Sequence, residues 1–201
     1  MPFVIYNEER FMQMKSRIKS QRNMKFNGNP IDKGMHSSQL MELFEEQLKD
    51  ILWAEKALIK AIPKMISLAA SDDLIAVLTD HLKETNDQVT RLAKVFKTID
   101  KKPSTVKCDA MEGLISEASE IMEDCEKGPK CDAGIISAAQ KIEHYEIATY
   151  GTLREFAETL GLRGAEKLIL EILNEEKAVD QKLTEIAVKV VNLVAAVKQA
   201  E

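Results

Sequence analysis

The sequence predicts an all-α protein, in which four long helices pair into two hairpins and a long crossover carrying a short helix joins the hairpins. Three observations lead there. Apolar residues recur at steps of three and four along four separate stretches, the spacing of a helix with one buried face. The chain is rich in Ala, Leu, Ile, Lys and Glu, whereas Gly and Pro together number 13 of 201 residues and aromatics make up 5%. Helices tolerate that balance and a many-turned β fold does not. Turn residues, finally, fall between the periodic stretches and seldom inside them.

The first helix is expected over residues 38–70, with Ser38 as N-cap and a stripe of Phe44, Leu48, Ile51, Leu58, Ile59, Ile62 and Ile66. Pro63 interrupts the pattern and should kink or loosen the helix locally. Ser71-Asp72-Asp73 is a capping sequence with acids in the first turn, and it opens a second helix to about Thr98. The join is short, so these two helices should be antiparallel neighbours. Pro103, Cys108 and Lys127-Gly128-Pro129 punctuate the next segment, which holds a short helix near 109–124 and is long enough to carry the chain back along the bundle. A third long helix follows over 132–160, ended by Gly161 as a C′ residue, and a fourth runs from beyond Gly164 to about 195. Helices of this size are ~40 Å long. Hairpin, long crossover, hairpin is the connectivity of a ferritin-like four-helix bundle.

Two parts follow: a basic N-terminal extension at 1–37 and a bundle domain at 38–198. The extension carries seven basic groups against three acids, a net +4 within a chain of net charge −5. Such an arm suits an acidic partner or a neighbouring copy, or is simply a solvated extension. The acidic whole excludes a strong electrostatic attraction to nucleic acid or anionic membrane, and no apolar run reaches the ~18 residues of a membrane span. Three cysteines, Cys108, Cys125 and Cys131, make an odd count without a zinc or disulfide framework. With no signal-peptide pattern at the N-terminus, a cytoplasmic location is expected.

Chemistry enters where the apolar stripes turn polar. Glu55 interrupts the first, His81 with Glu84 one turn on the second, Glu143 and Glu146 the third, Glu176 and Asp180 the fourth. Burying one unpaired carboxylate costs several kcal/mol, and six are prohibitive unless cations compensate them. Two divalent ions bring four positive charges and accept oxygen ligands with one imidazole. The spacing leaves choices open: Glu143 or Glu146, and Glu175 or Glu176, can each be ligand and bystander, and Asp50 rivals Glu55 on the first helix.

The stretch Ala138-Ala139-Gln140-Lys141-Ile142-Glu143-His144-Tyr145-Glu146-Ile147-Ala148-Thr149-Tyr150-Gly151-Thr152-Leu153 strongly resembles the YciF/YciE-like family of ferritin-like bacterial stress-associated proteins. Asp50 with Ala54-Glu55-Lys56, His81-Leu82-Lys83-Glu84-Thr85, Cys108 to Leu114, and Glu175-Glu176 with Asp180 match as well, so the likeness covers residues 38–190. It implies a ferritin-like bundle, a homodimer or higher homo-oligomer, a di-iron centre and a stress-related role. One departure stands out. Di-iron bundles carry Glu-x-x-His on two helices, whereas here the second helix reads His81-x-x-Glu84 and the fourth has Asp180 with no histidine. The expected ligands are therefore Glu55, His81, Glu84, Glu143, Glu146, Glu176 and Asp180, holding two iron ions, with manganese or zinc as alternatives. The functional expectation is an oxidoreductase that reduces peroxide or oxygen or oxidises iron, with electrons from an external donor. The alternative is a non-catalytic iron-binding or protein-interaction stress protein. Tyr145 and Tyr150 either carry an electron or pack.

Overall fold

A computed structural model of the chain describes residues 38–197, and the basic extension expected at 1–37 lies outside the described residues. The described chain is helical, in the order α1 (Gln39–Leu68), α2 (Asp72–Thr98), α3 (Asp109–Glu123), α4 (Pro129–Thr159), α5 (Arg163–Ile186), a π-helical turn (Ala187–Val191) and α6 (Asn192–Ala196). The ferritin-like bundle is formed by α1, α2, α4 and α5, and α3 is the crossover helix, packed on α1 and α4.

Local chemistry sets most of the boundaries. Ser38 Oγ accepts the Met41 N–H at 3.2 Å and Ser71 Oγ accepts that of Leu74 at 3.4 Å, satisfying donors that a helix start leaves orphaned. α4 starts at Pro129, three residues before the expected position, because a proline loses nothing in the first turn, where its missing N–H has no partner anyway. Gly161 takes φ 71°, the left-handed geometry that closes a helix and that glycine adopts without a Cβ penalty. α1 is assigned as one continuous helix across Pro63. At the far end, the single helix expected to residue 195 is instead α5, the π turn and α6.

One long-range contact fixes how the hairpins meet. Asp132, buried in the first turn of α4, accepts the Ala70 N–H at 2.7 Å and the Ser71 N–H at 3.0 Å. The start of α4 is thereby tied to the end of α1, so α4 runs antiparallel to α1. The corner between α1 and α2 gains acceptors for two backbone donors. A disulfide joins Cys125 to Cys131 with Cα atoms 5.3 Å apart, linking the chain beyond α3 to α4. Phe44, Leu48, Ile51, Leu92, Phe96, Ile135, Leu153, Ile169 and Leu183 are fully buried in the core between the four long helices. No described helix is long and apolar enough to cross a membrane.

Candidate metal centre

Midway along the bundle the core stops being apolar. His81 from α2, Glu143 and Glu146 from α4, and Glu176 from α5 each offer a ligand atom, and these atoms all lie within 4.8 Å of one another. All four side chains are buried, none with more than 3% of its surface exposed. His81 Nε2 lies 3.2 Å from Glu143 Oε1. Glu55 of α1, also fully buried, accepts a hydrogen bond from the Tyr150 hydroxyl.

The stripe periodicity explains the convergence. Glu143 and Glu146 are three apart on α4 and share its inner face. Glu175 and Glu176 are neighbours, so ~100° of helix separates them. Glu176 turns inward, while Glu175 faces α2, where Arg91 grips it with Nη1 at 2.7 Å and Nη2 at 2.6 Å. The pair open on α1 divides in the same way. Glu55 takes the interior, and Asp50 accepts the Tyr145 hydroxyl at 2.7 Å, with Cys108 Sγ 3.0 Å from that oxygen. Glu84 and Asp180 lie outside the four-residue group. Asp180 is half-buried beside Gln140 and the exposed His144, and Glu84 is half-buried one turn beyond His81.

Electrostatically the centre is short of positive charge. Burial pushes the carboxyls of Glu55, Glu143 and Glu146 well above the carboxylate range, and the neighbouring acids push them further: Glu176 acts on Glu55 and Glu143, and Glu55 acts on Glu146. Burial likewise raises Glu176 to about 7, against hydrogen bonds that favour its ionised form. His81 is lowered to about 4 by burial and secondarily by Lys182, so its imidazole is neutral near pH 7.

Whether metal suits these residues can be tested on their unsatisfied atoms. Glu55 Oε2, His81 Nδ1, Glu84 Oε2, Gln88 Oε1, Glu143 Oε2, both oxygens of Glu146, and Glu176 Oε2 are buried without a hydrogen-bond partner among the described residues. Native interiors pair nearly all such atoms. The donors that reach these acids, the Tyr150 hydroxyl and Gln88 Nε2, are already engaged by Glu55 and Glu176. What is left over is almost entirely acceptor, which is the donor set that divalent cations take. The residues fit.

Three contributors escaped the sequence reading as site residues: Gln88 and Arg91 on α2, and Tyr150 in its role as a donor to Glu55. A signal existed for Gln88, seven residues after His81 and therefore on the same helical face.

Fold and site together define a ferritin-like helical bundle with a buried carboxylate and histidine cluster able to hold a metal ion. The chain belongs to the family described as a domain of unknown function, DUF892, whose model matches residues 39–196. Protein YciF of Escherichia coli K12 is 45% identical over 159 residues, spanning 79% of this chain and 96% of that protein. The crystal structure of the E. coli stress protein YciF superposes with a TM-score of 0.74 at 45% identity, over 77% of this chain and 98% of that one. YcfI of Rhodopseudomonas palustris gives 0.71 at 44% identity, over 79% and 98%. A Xanthomonas campestris protein at 19% identity and a TM-score of 0.62, over 79% and 97%, shares the fold.

Proposed function

We propose that this protein is a dinuclear metalloprotein of the bacterial stress response that reduces peroxide or oxygen with electrons from an external donor, or with electrons taken from ferrous iron that it oxidises, at the buried cluster. The observation that carries this reading is the set of orphaned atoms on His81, Glu143, Glu146 and Glu176, which converge from three of the long helices, together with the orphaned oxygen of the buried Glu55 on the fourth. His81, Glu143, Glu146, Glu176 and Glu55 would hold two ions, iron first among the candidates, with manganese or zinc as alternatives. Bound iron would supply the redox chemistry at the centre.

The chain's own residues do the rest. Four buried carboxylates balance the charge of two divalent ions. Tyr150 and Gln88 hold Glu55 and Glu176 in place by donating to one oxygen of each, which orients the ligands as second partners do in metal sites. The packed apolar layers above and below exclude bulk water, and the Arg91–Glu175 pair faces solvent on one side, with side chains 16% and 30% exposed.

The test is metal analysis of protein purified from iron-replete cells, followed by peroxide turnover. About two metal ions per chain are expected, with near-ultraviolet absorbance after oxidation, and both should vanish in the Glu143→Ala/Glu176→Ala double variant. Metal-free protein that cannot be loaded would refute the reading. A second reading, a non-catalytic iron-binding or structural protein, draws on YcfI being provisionally described as a structural protein. Bound metal without peroxide or oxygen turnover would favour it.

A further inference from the structure

Gln88 is only 1% exposed, and it sits on the inner face of α2 two turns beyond His81. Its amide has two ends with different fates. Nε2 donates to Glu176 Oε1 and, at 3.2 Å, to Glu175 Oε2. Reversing the amide would set its carbonyl against two carboxylate oxygens, so the orientation is determined by its neighbours. Oε1 is the other end of the amide, not engaged by those bonds, and it is buried with no hydrogen-bond partner among the described residues. An amide oxygen left bare in the interior costs about 1–3 kcal/mol; the acid that Gln88 holds, Glu176, has a bare oxygen of its own, and so do Glu55 and Glu146.

We propose that Gln88 is the neutral oxygen ligand of a second cation position, completed by Glu55 and by oxygens of Glu146 and Glu176, and chemically unlike the position that His81 serves. This rests on the dinuclear reading above. Glu176 belongs to both positions: it lies in the group around His81, Gln88 holds it, and its charge is the strongest electrostatic influence on Glu55. Glu55 itself is outside the His81 group, with Oε1 committed to Tyr150 and Oε2 free.

Charge counting explains an amide at this place. Glu55, Glu143, Glu146 and Glu176 carry four negative charges when ionised, which two divalent ions neutralise. An acid at position 88 would leave a fifth charge uncompensated in the interior, whereas glutamine supplies an oxygen at no charge. The two positions therefore differ in preference. The one with imidazole accepts zinc or iron readily, while the all-oxygen one favours hard ions such as manganese and magnesium. Filling is sequential.

The experiment titrates metal-free, full-length protein with Mn(II), reading bound metal by equilibrium dialysis and the spin state by electron paramagnetic resonance. Wild-type protein should bind two ions and show a spin-coupled pair. Gln88→Ala should keep the first ion, bind the second about 10- to 100-fold more weakly, and give the spectrum of an isolated Mn(II). Gln88→Met, which keeps the side-chain length without the oxygen, should read the same and stands in if the alanine variant does not fold. Gln88→Glu keeps an oxygen that can ligate and adds one uncompensated charge, so it should retain the coupled pair when loaded while its metal-free form melts below the wild-type metal-free form. If Gln88 merely positioned Glu176 through its N–H, Gln88→Glu would lose the second ion as completely as Gln88→Ala, and the proposal would be overturned. Alanine and methionine variants that bind both ions like wild type overturn the role of Gln88 and leave the dinuclear reading standing. Wild-type protein that binds fewer than two ions overturns the dinuclear reading itself, and this proposal with it.

Discussion

Stripping metal from the protein should make it lose stability steadily as the pH rises from 6.5 to about 8, and reloading should abolish that loss. The reason is the buried acids. Glu55, Glu143 and Glu146 are pushed well above the carboxylate range by burial, and Glu176 rises from 4.5 to about 7. An acid with a raised folded value contributes fully below its unfolded value of 4.5 and loses that contribution as the pH climbs, because the unfolded chain has already released the proton that the fold retains. His81 acts in the opposite sense. Its folded value is lowered from 6.5 to about 4, so folding is penalised below 6.5 and the penalty has faded above it. The window from 6.5 upward therefore isolates the carboxylates. Each proton the folded state still holds costs about 1.4 kcal/mol per pH unit there, or about 2 kcal/mol per retained proton up to pH 8. For a domain of this size that lowers the melting temperature by about 4–8 °C for one retained proton. Bound divalent ions replace those protons, so the loaded protein should melt at nearly constant temperature and the gap between the two forms should widen with pH. Thermal melts of chelator-treated and Mn(II)-loaded protein across the window provide the assay. A metal-free form whose melting temperature is flat or rising above pH 6.5 would show that these acids are not buried together, and would refute the reasoning.

Tyr150→Phe removes the one hydrogen bond that the Glu55 carboxyl accepts among the described residues and should lower the stability of the metal-free protein by about 1–3 kcal/mol, measured by urea unfolding, with metal loading retained. Asp132→Ala strips acceptors from two backbone N–H groups at the corner between α1 and α2 and should cost about 2 kcal/mol or more in the same assay, while leaving bound metal unchanged. Glu84→Ala and Asp180→Ala, outside the four-residue group, should leave the number of bound ions as in wild type; Glu146→Ala should reduce it. Loss of an ion in either of the first two variants would enlarge the ligand set.

Much of the fold could be read from the chain because its determinants are local. Serines 38 and 71 cap their own helices three residues on, and such contacts are written in adjacent letters. Features that depend on distant residues were not legible. Asp132 reads as an acid near the start of a helix, yet its work is done on backbone groups 61 and 62 residues earlier. Cys108 reads as an isolated thiol, and only the structure shows its Sγ 3.0 Å from the hydroxyl oxygen of Tyr145, 37 residues later. The division of the last helix at the π turn had no marker either, since Val188, Val190, Leu193 and Val194 continue a helix-compatible pattern even though they are exposed.

At the centre, what was legible depended on residue type. Charged residues inside apolar stripes are conspicuous, because burying them is costly, and that test picked out Glu55, His81, Glu84, Glu143, Glu146, Glu176 and Asp180, of which Glu84 and Asp180 are only half-buried. The same test could not see Gln88. A buried amide is a modest expense that many cores tolerate with one hydrogen bond, and the apolar Val89 next to it is the residue a stripe would take first. The structure has it the other way: Gln88 is in the core and Val89 at its edge. Nor could the stripe choose between Glu175 and Glu176, since one residue step is a 100° turn on a helix whose axial rotation is set by its neighbours. Arg91 supplies what the stripe lacks. It holds Glu175 outward from a position on α2 one turn beyond Gln88, and Gln88 holds Glu176 inward. Two residues on one face of α2 thus sort two adjacent acids of α5 into a half-buried ion pair and a carboxyl of the interior cluster. Because that sorting is done across helices, it becomes visible only when the charges are counted in space.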